Sequence, residues 1–410
     1  MRLTLPLTKH NLYRLMRNQW KTARKRRVVE TQSISVLKER NIEFIDANEY
    51  VKTPLPNFDF STVVGLAPKP LLKDENHPMY KEQPCYIHHD GSVLMEGMQQ
   101  ALVLTNTVQL ETDKLPEQIE ALIDKVKLKD QDSLVKRCIK TSCLYDAEQK
   151  KLAIRKDPER PAWIFPRDYG ITETRKNRMI CNRLVHLCSL ACPDISRQRM
   201  VFNDVPMSVP LYWEEDPLEF RMRSDVFISS EKPLPAIVSP SVAESCILPD
   251  LMVSHPVISL DESNFYEFKD IFPIKENAKY ANVHTIMVHY NHQEVKNIYE
   301  RNVEETQIHG RALLKAFTAA VAQARYNYGA DVKDLPKPVV VQCLQTDGRR
   351  FDFSVFQLNT ADLFSSIHNI YWSLPAMNLY ENCSYVQGIP VLEGYNPQVF
   401  KHVLAFYNFN

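Results

Sequence analysis

His88, His89 and Asp90 are consecutive, and imidazoles beside a carboxylate are common materials of acid–base catalysis and of metal sites. Neighbouring residues on a strand point to opposite faces, so the two histidines are poorly placed to share one ligand. The trio reads instead as a solvated turn before a helix that begins near Ser92. His284, His289 and His292 form a second group, on one strand and its end, without a carboxylate at ligand spacing. An enzyme would require these two groups to converge in a concave, partly buried pocket. Cys181, His186, Cys188 and Cys192 lie on one predicted helix, where a zinc site would need ligands from a second element. Alternating with Leu184 and Leu187, the cysteines have the pattern of small buried residues on a core face. No catalytic residue and no metal ligand is assigned, and no cofactor is expected.

A different chemistry is legible between Lys150 and Arg183, where ten basic residues face four acids and Trp163, Phe165 and Tyr169 are interleaved. Cations that meet phosphates, with aromatics that stack on unpaired bases, are the mixture used to contact RNA. The expected rRNA-contact residues there are Arg155, Lys156, Arg160, Trp163, Arg167, Arg175, Lys176 and Arg178. Arg349 and Arg350, at the tip of a predicted hairpin, are a second expected phosphate contact. The same composition would also suit a solvated surface.

Composition narrows the alternatives. Only 9 glycines occur, where average usage would give roughly three times as many. None has the spacing of a dinucleotide fingerprint, a phosphate-cradling loop or a nucleophile elbow. Nine cysteines without a CxxC pair argue against a disulfide scaffold and for a reducing compartment. No apolar run approaches the ~18 residues of a membrane span. The net charge of zero hides an asymmetry, because residues 1–29 carry nine Lys or Arg and no acid. The remainder holds 41 bases against 50 acids, too acidic to coat nucleic acid over most of its surface.

The elements that position these residues follow in order. Leu12, Leu15, Met16 and Trp20 share one helical face and Arg14, Arg17 and Lys21 another, the pattern of a mitochondrial presequence over 1–29. Residues 30–76, with Pro54, Pro56, Pro68 and Pro70, predict an extended arm. The part from 77 to 195 reads as helical, with helices near Ser92–Thr107, from Pro116, from Asp132 and over Thr172–Ala191. From 196 to 410 the texture is that of short strands, interrupted by prolines, and a final helix near Gln398–Phe406. The expected fold is α+β: a helical N-terminal half packed beside a mostly antiparallel sheet, with residues 77–410 as one composite globular unit.

The clearest packing unit is His309–Thr360. Leu313, Phe317, Ala320, Val321 and Ala324 form one helical stripe, with Arg311, Lys315 and Gln323 off to its sides. Gly329 can close this helix, and a hairpin follows with Asp347-Gly348 as a two-residue turn. Pairing outward sets Leu344 opposite Phe351, Gln342 opposite Phe353 and Val340 opposite Val355, an apolar face that is expected to receive the helix. The other face, with Val339, Val341, Cys343, Asp352, Ser354 and Phe356, is mixed.

The blocks HPMYKEQPCYIHH, LMEGMQQALVLTNT, FTAAVAQARYNYG, PVVVQCLQTDGRRF and VFQLNTADL resemble the family of the thirty-seventh protein of the mitochondrial large ribosomal subunit. The likeness is close over about 77–107 and 311–363 and faint between about 195 and 305, and it departs from the family pattern at Pro84 and Asp90. The resemblance implies a structural constituent of the mitochondrial ribosome in the matrix, without enzymatic activity. It implies as partners large-subunit rRNA and other mitochondrial ribosomal proteins, including the related large-subunit protein formerly called S30 and linked by name to programmed cell death. An RNA-processing or ribosome-assembly factor is the alternative from a neighbouring class, and a matrix enzyme the more distant one.

Overall fold

In a computed structural model of the chain, the described residues are 16–21, 33–43 and 74–410, the last range without 153, 155, 156, 158, 161, 164, 252, 253, 276, 293 and 297–301. Two compact units are distinguished, Met1–Leu72 and Lys73–Asn410. In the first, residues 16–21 are helical, and α1 spans Ser33–Glu39 with no buried residue. The rest of the expected presequence and most of the arm lie outside the described residues.

The second unit is built on a mixed sheet. Its strands are β1 (Tyr80–His88), β2 (Thr107–Thr112), β5 (Arg199–Trp213), β6 (Asp216–Ser230), β7 (Asp261–Phe265) and β8 (Asn282–His289), followed by β9 (Asp334–Thr346), β10 (Arg350–Thr360), β11 (Asn369–Ser373) and β12 (Met377–Asn378). Their order is β2-β11-β10-β9-β8-β6-β1-β7, with β5 on β6 and β12 on β10. Two small ladders stand apart: β3 (Lys150–Lys151) with β4 (Tyr169–Gly170), and β13 (Asn382–Val386) with β14 (Ile389–Glu393). The helices are α2 (Gly97–Leu104), α3 (Gln131–Leu144), α4 (Glu173–Ala191), α5 (Glu305–Tyr328) and α6 (Pro397–Asn408).

The α+β class holds, and most of the pairings are antiparallel. The segment read as helical nevertheless supplies two strands to the main sheet, because β1 pairs parallel with β6 and β2 parallel with β11. Lys81, Glu82 and Gln83 put polar residues on both faces of Tyr80–His88, which hid it as a strand, and only its last part is buried. The helix expected over Ser92–Thr107 is shortened to Gly97–Leu104, and that from Pro116 to a single turn at Glu117–Glu120. Pro206 and Pro210 do not interrupt β5. Among the described strands it pairs along its length with β6 alone, so an outward-facing missing N–H costs nothing.

Both faces of the sheet are covered, which corrects the expected docking of the hairpin. Val339, Val341, Cys343, Phe356 and Leu358, the face read as mixed, pack with Leu313, Phe317, Ala320 and Val321 of α5. Val340, Leu344, Phe351, Phe353 and Val355 pack instead with residues of α3, α4 and α6, such as Val135, Leu184 and Phe406. A strand at the centre of a two-sided sheet has no solvated face to reveal by alternation, so periodicity could not say which helix went where. The register also differs by two residues. Phe351 pairs with Thr346, Phe353 with Leu344 and Val355 with Gln342. A slip of two preserves the faces.

The turn is therefore Gly348-Arg349, closed by Asp347 N–H donating to the Arg350 carbonyl at 3.3 Å. Gly348 has φ +94, and a positive φ at the first central residue is the II′ pattern. A Cβ on Gly348 would also stand 3.3 Å from the Asn177 Cα in α4. Gly348→Val is expected to cost about 2 kcal/mol through strain and crowding together, against a few tenths for Arg349→Ala. Urea midpoints of the two variants test this; equal midpoints would refute the turn.

Candidate nucleic-acid interface

The β3–β4 ladder closes the base of a long excursion that carries half of the expected RNA contacts. Lys150 pairs with Gly170 and Lys151 with Tyr169, and Leu152 N–H donates to the Asp168 carbonyl at 2.9 Å. Trp163 is 62% exposed and Tyr169 67% exposed. Arg160 lies over the Trp163 ring at 5.2 Å, and Phe165 is tilted against it at 6.3 Å. A guanidinium resting on an exposed indole leaves N–H donors beside an aromatic face, the pair of groups that phosphate and base require.

The excursion leads directly into α4, and a cleft of about 640 Å³ opens where they join. Lys150, Lys151, Arg175 and Arg178 line it, opposed by Glu173 and Glu294. The hairpin turn packs against the same end of α4, because Gly348 lies against Asn177. Arg178 and the turn carrying Arg349 are thus brought together, although 170 positions separate them in the chain.

The expected contacts divide into three groups. Arg160, Trp163, Arg167, Arg178 and Arg349 are exposed. Arg175, Lys176 and Arg350 are held by intramolecular acids. Arg175 pairs with Asp146 and Glu148, and its hydrogen bond to Asp146 raises its pKa further. Lys176 pairs with Glu173 at 2.8 Å. Arg350 reaches Glu305 at 2.9 Å and Asp352 at 3.0 Å, so it braces the hairpin against α5. Arg155 and Lys156 lie outside the described residues.

The histidines do not converge. His88 is buried in β1, which corrects the solvated-turn expectation, while His89 is half-exposed beside Asp261 at 3.6 Å. His284 is buried elsewhere, with Nε2 2.8 Å from the Phe409 carbonyl and Nδ1 2.8 Å from the Thr285 hydroxyl. His289 contacts Asn177, and His292 pairs with Asp347 at 3.5 Å. Cys181, Cys188 and Cys192 are buried among core leucines, as their spacing suggested, and burial pushes the Cys181 and Cys188 thiols well up. Among the described residues no cluster of His, Cys, Asp or Glu could hold a metal, and no helix is long and apolar enough to cross a membrane.

What the sequence concealed is a buried polar cluster on α5. Arg311 is 2% and Lys315 1% exposed. Arg311 donates to the Gln345 side chain at 2.7 Å and to the Asp90 carbonyl at 3.0 Å, and Lys315 pairs with the Asp90 carboxylate. Burial lowers the Lys315 pKa to about 8. Cations at i and i+4 on a helix ordinarily mark its solvated side, and only the contact with Asp90, 225 positions away, gives Lys315 an anionic partner.

Large ribosomal subunit protein mL37 of Rattus norvegicus is 32% identical over 348 residues, covering 80% of this chain and 76% of that protein. The chain belongs to the mL37 family. The mL37 proteins of Mus musculus and Bos taurus are 32% and 30% identical, over 76% and 77% of their lengths. The family model described as mitochondrial 28S ribosomal protein S30 (PDCD9) matches residues 273–409, from the approach to β8 through α6. The resemblance carried by the two sequence blocks is borne out. The mL37 match spans far more of the chain than those blocks, so it takes in part of the region where the likeness was faint.

Proposed function

We propose that this chain is a structural constituent of the mitochondrial large ribosomal subunit, acting by protein–protein contacts and a local rRNA contact rather than by catalysis. The observation that carries this is the 32% identity, over four-fifths of the chain, to a protein named for that subunit. In this reading residues 1–29 direct the chain to the mitochondrion and 30–76 run as an arm over neighbours. The partners are large-subunit rRNA and mitochondrial ribosomal proteins, among them the S30-type protein whose family model matches the C-terminal part. The dispersed histidines support the non-enzymatic reading.

The rRNA contact is assigned to Arg160, Trp163, Arg167, Arg178 and Arg349, with Arg155 and Lys156 on the same excursion. Arg175, Lys176 and Arg350 are engaged by intramolecular acids. A tagged chain is expected to co-sediment with the large subunit; recovery only at the top of the gradient, in salt that preserves subunits, would overturn the assignment. Trp163→Ala should lower ultraviolet cross-linking of the chain to rRNA by roughly tenfold, one stacked base being worth about 1–3 kcal/mol. Its melting temperature should be unchanged because the ring is exposed. Undiminished cross-linking would move the contact elsewhere.

A further inference from the structure

The β13–β14 hairpin stands apart from the main sheet and leans on the last turn of α3. Three side-chain contacts fasten it there. Tyr145, just past the end of α3, meets Tyr385 of β13 edge to face, with ring centroids 6.1 Å apart. Cys143, in the final turn of the helix, has its Sγ 3.3 Å from the Tyr380 hydroxyl. The Cys383 thiol, between Tyr380 and Tyr385 in the chain, faces Cys143 closely enough to share a hydrogen bond. Position 143 thus meets 383 while 145 meets 385, so the ring contact holds the two sulfurs beside each other.

Both sulfurs are free thiols, Cys143 8% exposed and Cys383 half-buried. Their surroundings set them apart from the other buried cysteines. Burial pushes the thiols of Cys181 and Cys343 up, to about 12 at Cys343, so they stay protonated and inert. Cys143 goes the other way. The hydrogen bond with Cys383 lowers its pKa against the cost of burial, and the Tyr380 hydroxyl adds to the effect. The same bond raises Cys383. A thiolate is the nucleophilic form of cysteine, and a protonated neighbour is placed to resolve what that thiolate forms.

We propose that Cys143 and Cys383 are the site of a reversible, peroxide-driven disulfide that locks the β13–β14 hairpin to α3. The Cys143 thiolate attacks one oxygen of hydrogen peroxide, and the S–O bond forms as the O–O bond breaks. The products are a sulfenic acid and hydroxide, which the proton shed by Cys143 converts to water. The Cys383 thiol then attacks the sulfenic sulfur. Its proton leaves with the departing hydroxyl as a second water, and the S–S bond closes. Two electrons pass from the thiols to one peroxide, and a dithiol reductant returns both by exchange. The hairpin so locked carries Val386 at 49% and Ile389 at 66% exposure, so the bond fixes a surface element rather than the core.

The test exposes the purified full chain to hydrogen peroxide, alkylates the remaining thiols and digests with trypsin without reduction. Cys143 falls in fragment 141–150 and Cys383 in fragment 351–401, each with no other cysteine. These fragments are expected as one cross-linked species that dithiothreitol separates. The oxidised chain should melt roughly 5 °C above the reduced one, as a bridge that closes a long loop does. Cys383→Ser should abolish both the species and the rise while leaving the melting of the reduced chain unaltered. In that variant the sulfenic acid has no resolving thiol, so dimedone labelling of Cys143 should increase several-fold. Bridges joining other cysteines, sulfinic acid at Cys143 without a bridge, or thiols at 143 and 383 that survive peroxide would each overturn the proposal. So would a bridge that leaves melting unchanged, or dimedone labelling indifferent to Cys383→Ser.

Discussion

Gly310→Ala is expected to destabilise the protein by about 3 kcal/mol, at the upper end of what over-packing costs, and Gly310→Val to prevent folding. A Cβ on Gly310 would lie 2.7 Å from the Gly97 carbonyl oxygen and 2.8 Å from its carbon. Conversely, one on Gly97 would lie 2.7 Å from the Thr306 carbonyl carbon, and Gly97 has φ +56 as well. The clash is between backbones, so no side chain can rotate to relieve it. The crossing is fastened around that point. Gln307 Nε2 donates to the Leu94 carbonyl at 3.0 Å and the Met95 carbonyl at 3.2 Å. The Gln307 amide also completes a capping box with Glu304. To open the crossing would strand buried polar groups as well as separate α2 from α5. Gly388→Ala is the control: it has φ +80 but nothing within 4 Å of a new Cβ, so only the conformational cost of about 1 kcal/mol applies. Denaturant midpoints separate the two; a Gly310→Ala midpoint no lower than that of Gly388→Ala would refute the backbone contact.

Stability should also fall steeply as pH drops from 7 towards 5. His88 and His284 are fully buried, and desolvation holds the pKa of each down at about 3, with Lys315 and Arg311 adding repulsion at His88 and Arg199 at His284. Burial lowers His289 also. Between their folded values and the unfolded value near 6.5, only the unfolded chain binds the protons, so stability rises with pH across that window. Linkage gives about 2 kcal/mol per histidine between pH 7 and 5, or about 4 kcal/mol for His88 and His284 together, as an upper bound. Asp225 and Asp352, whose pKa values burial raises, act with the opposite sign, retaining protons in the folded state above the ordinary carboxylate value. His284→Gln can still donate to the Phe409 carbonyl but cannot titrate, so its unfolding midpoint should vary less between pH 7 and 5. A slope identical to the unsubstituted chain would mean that His284 is solvated.

The stripe of α5 was legible in the sequence because Leu313, Phe317 and Val321 lie on one helical face. The cation–aromatic excursion was legible as a surface because its prolines and charges leave no apolar stripe for a core to receive. Arg311 and Lys315 were not. Nothing local distinguishes a buried lysine from a solvated one; its partner Asp90 is supplied by a distant turn. Arg350 is the mirror image, because a tip arginine becomes a brace only once Glu305 is folded beside it. β1 escaped notice because only the end of it is buried, whereas β9 and β10 were found but could not be assigned to their helices.

The pairing of β2 with β11 joins Thr107 to Asn369, and Asn106 bridges the same seam through its side chain to the Ser365 and Ile367 carbonyls. The stretch most recognisable to a family model, 273–409, is therefore not a unit that can fold by itself. Within it β8 leans on β6, and β11 on a strand from the first third of the chain. Any process that delivers this chain N-terminus first must hold β2 open-edged until residues 369–373 arrive. Such non-local closure is slow and leaves pairing edges available to other chains in the meantime. The interval between delivery of the two ends is when this protein is most exposed to misassembly, and most in need of a chaperone.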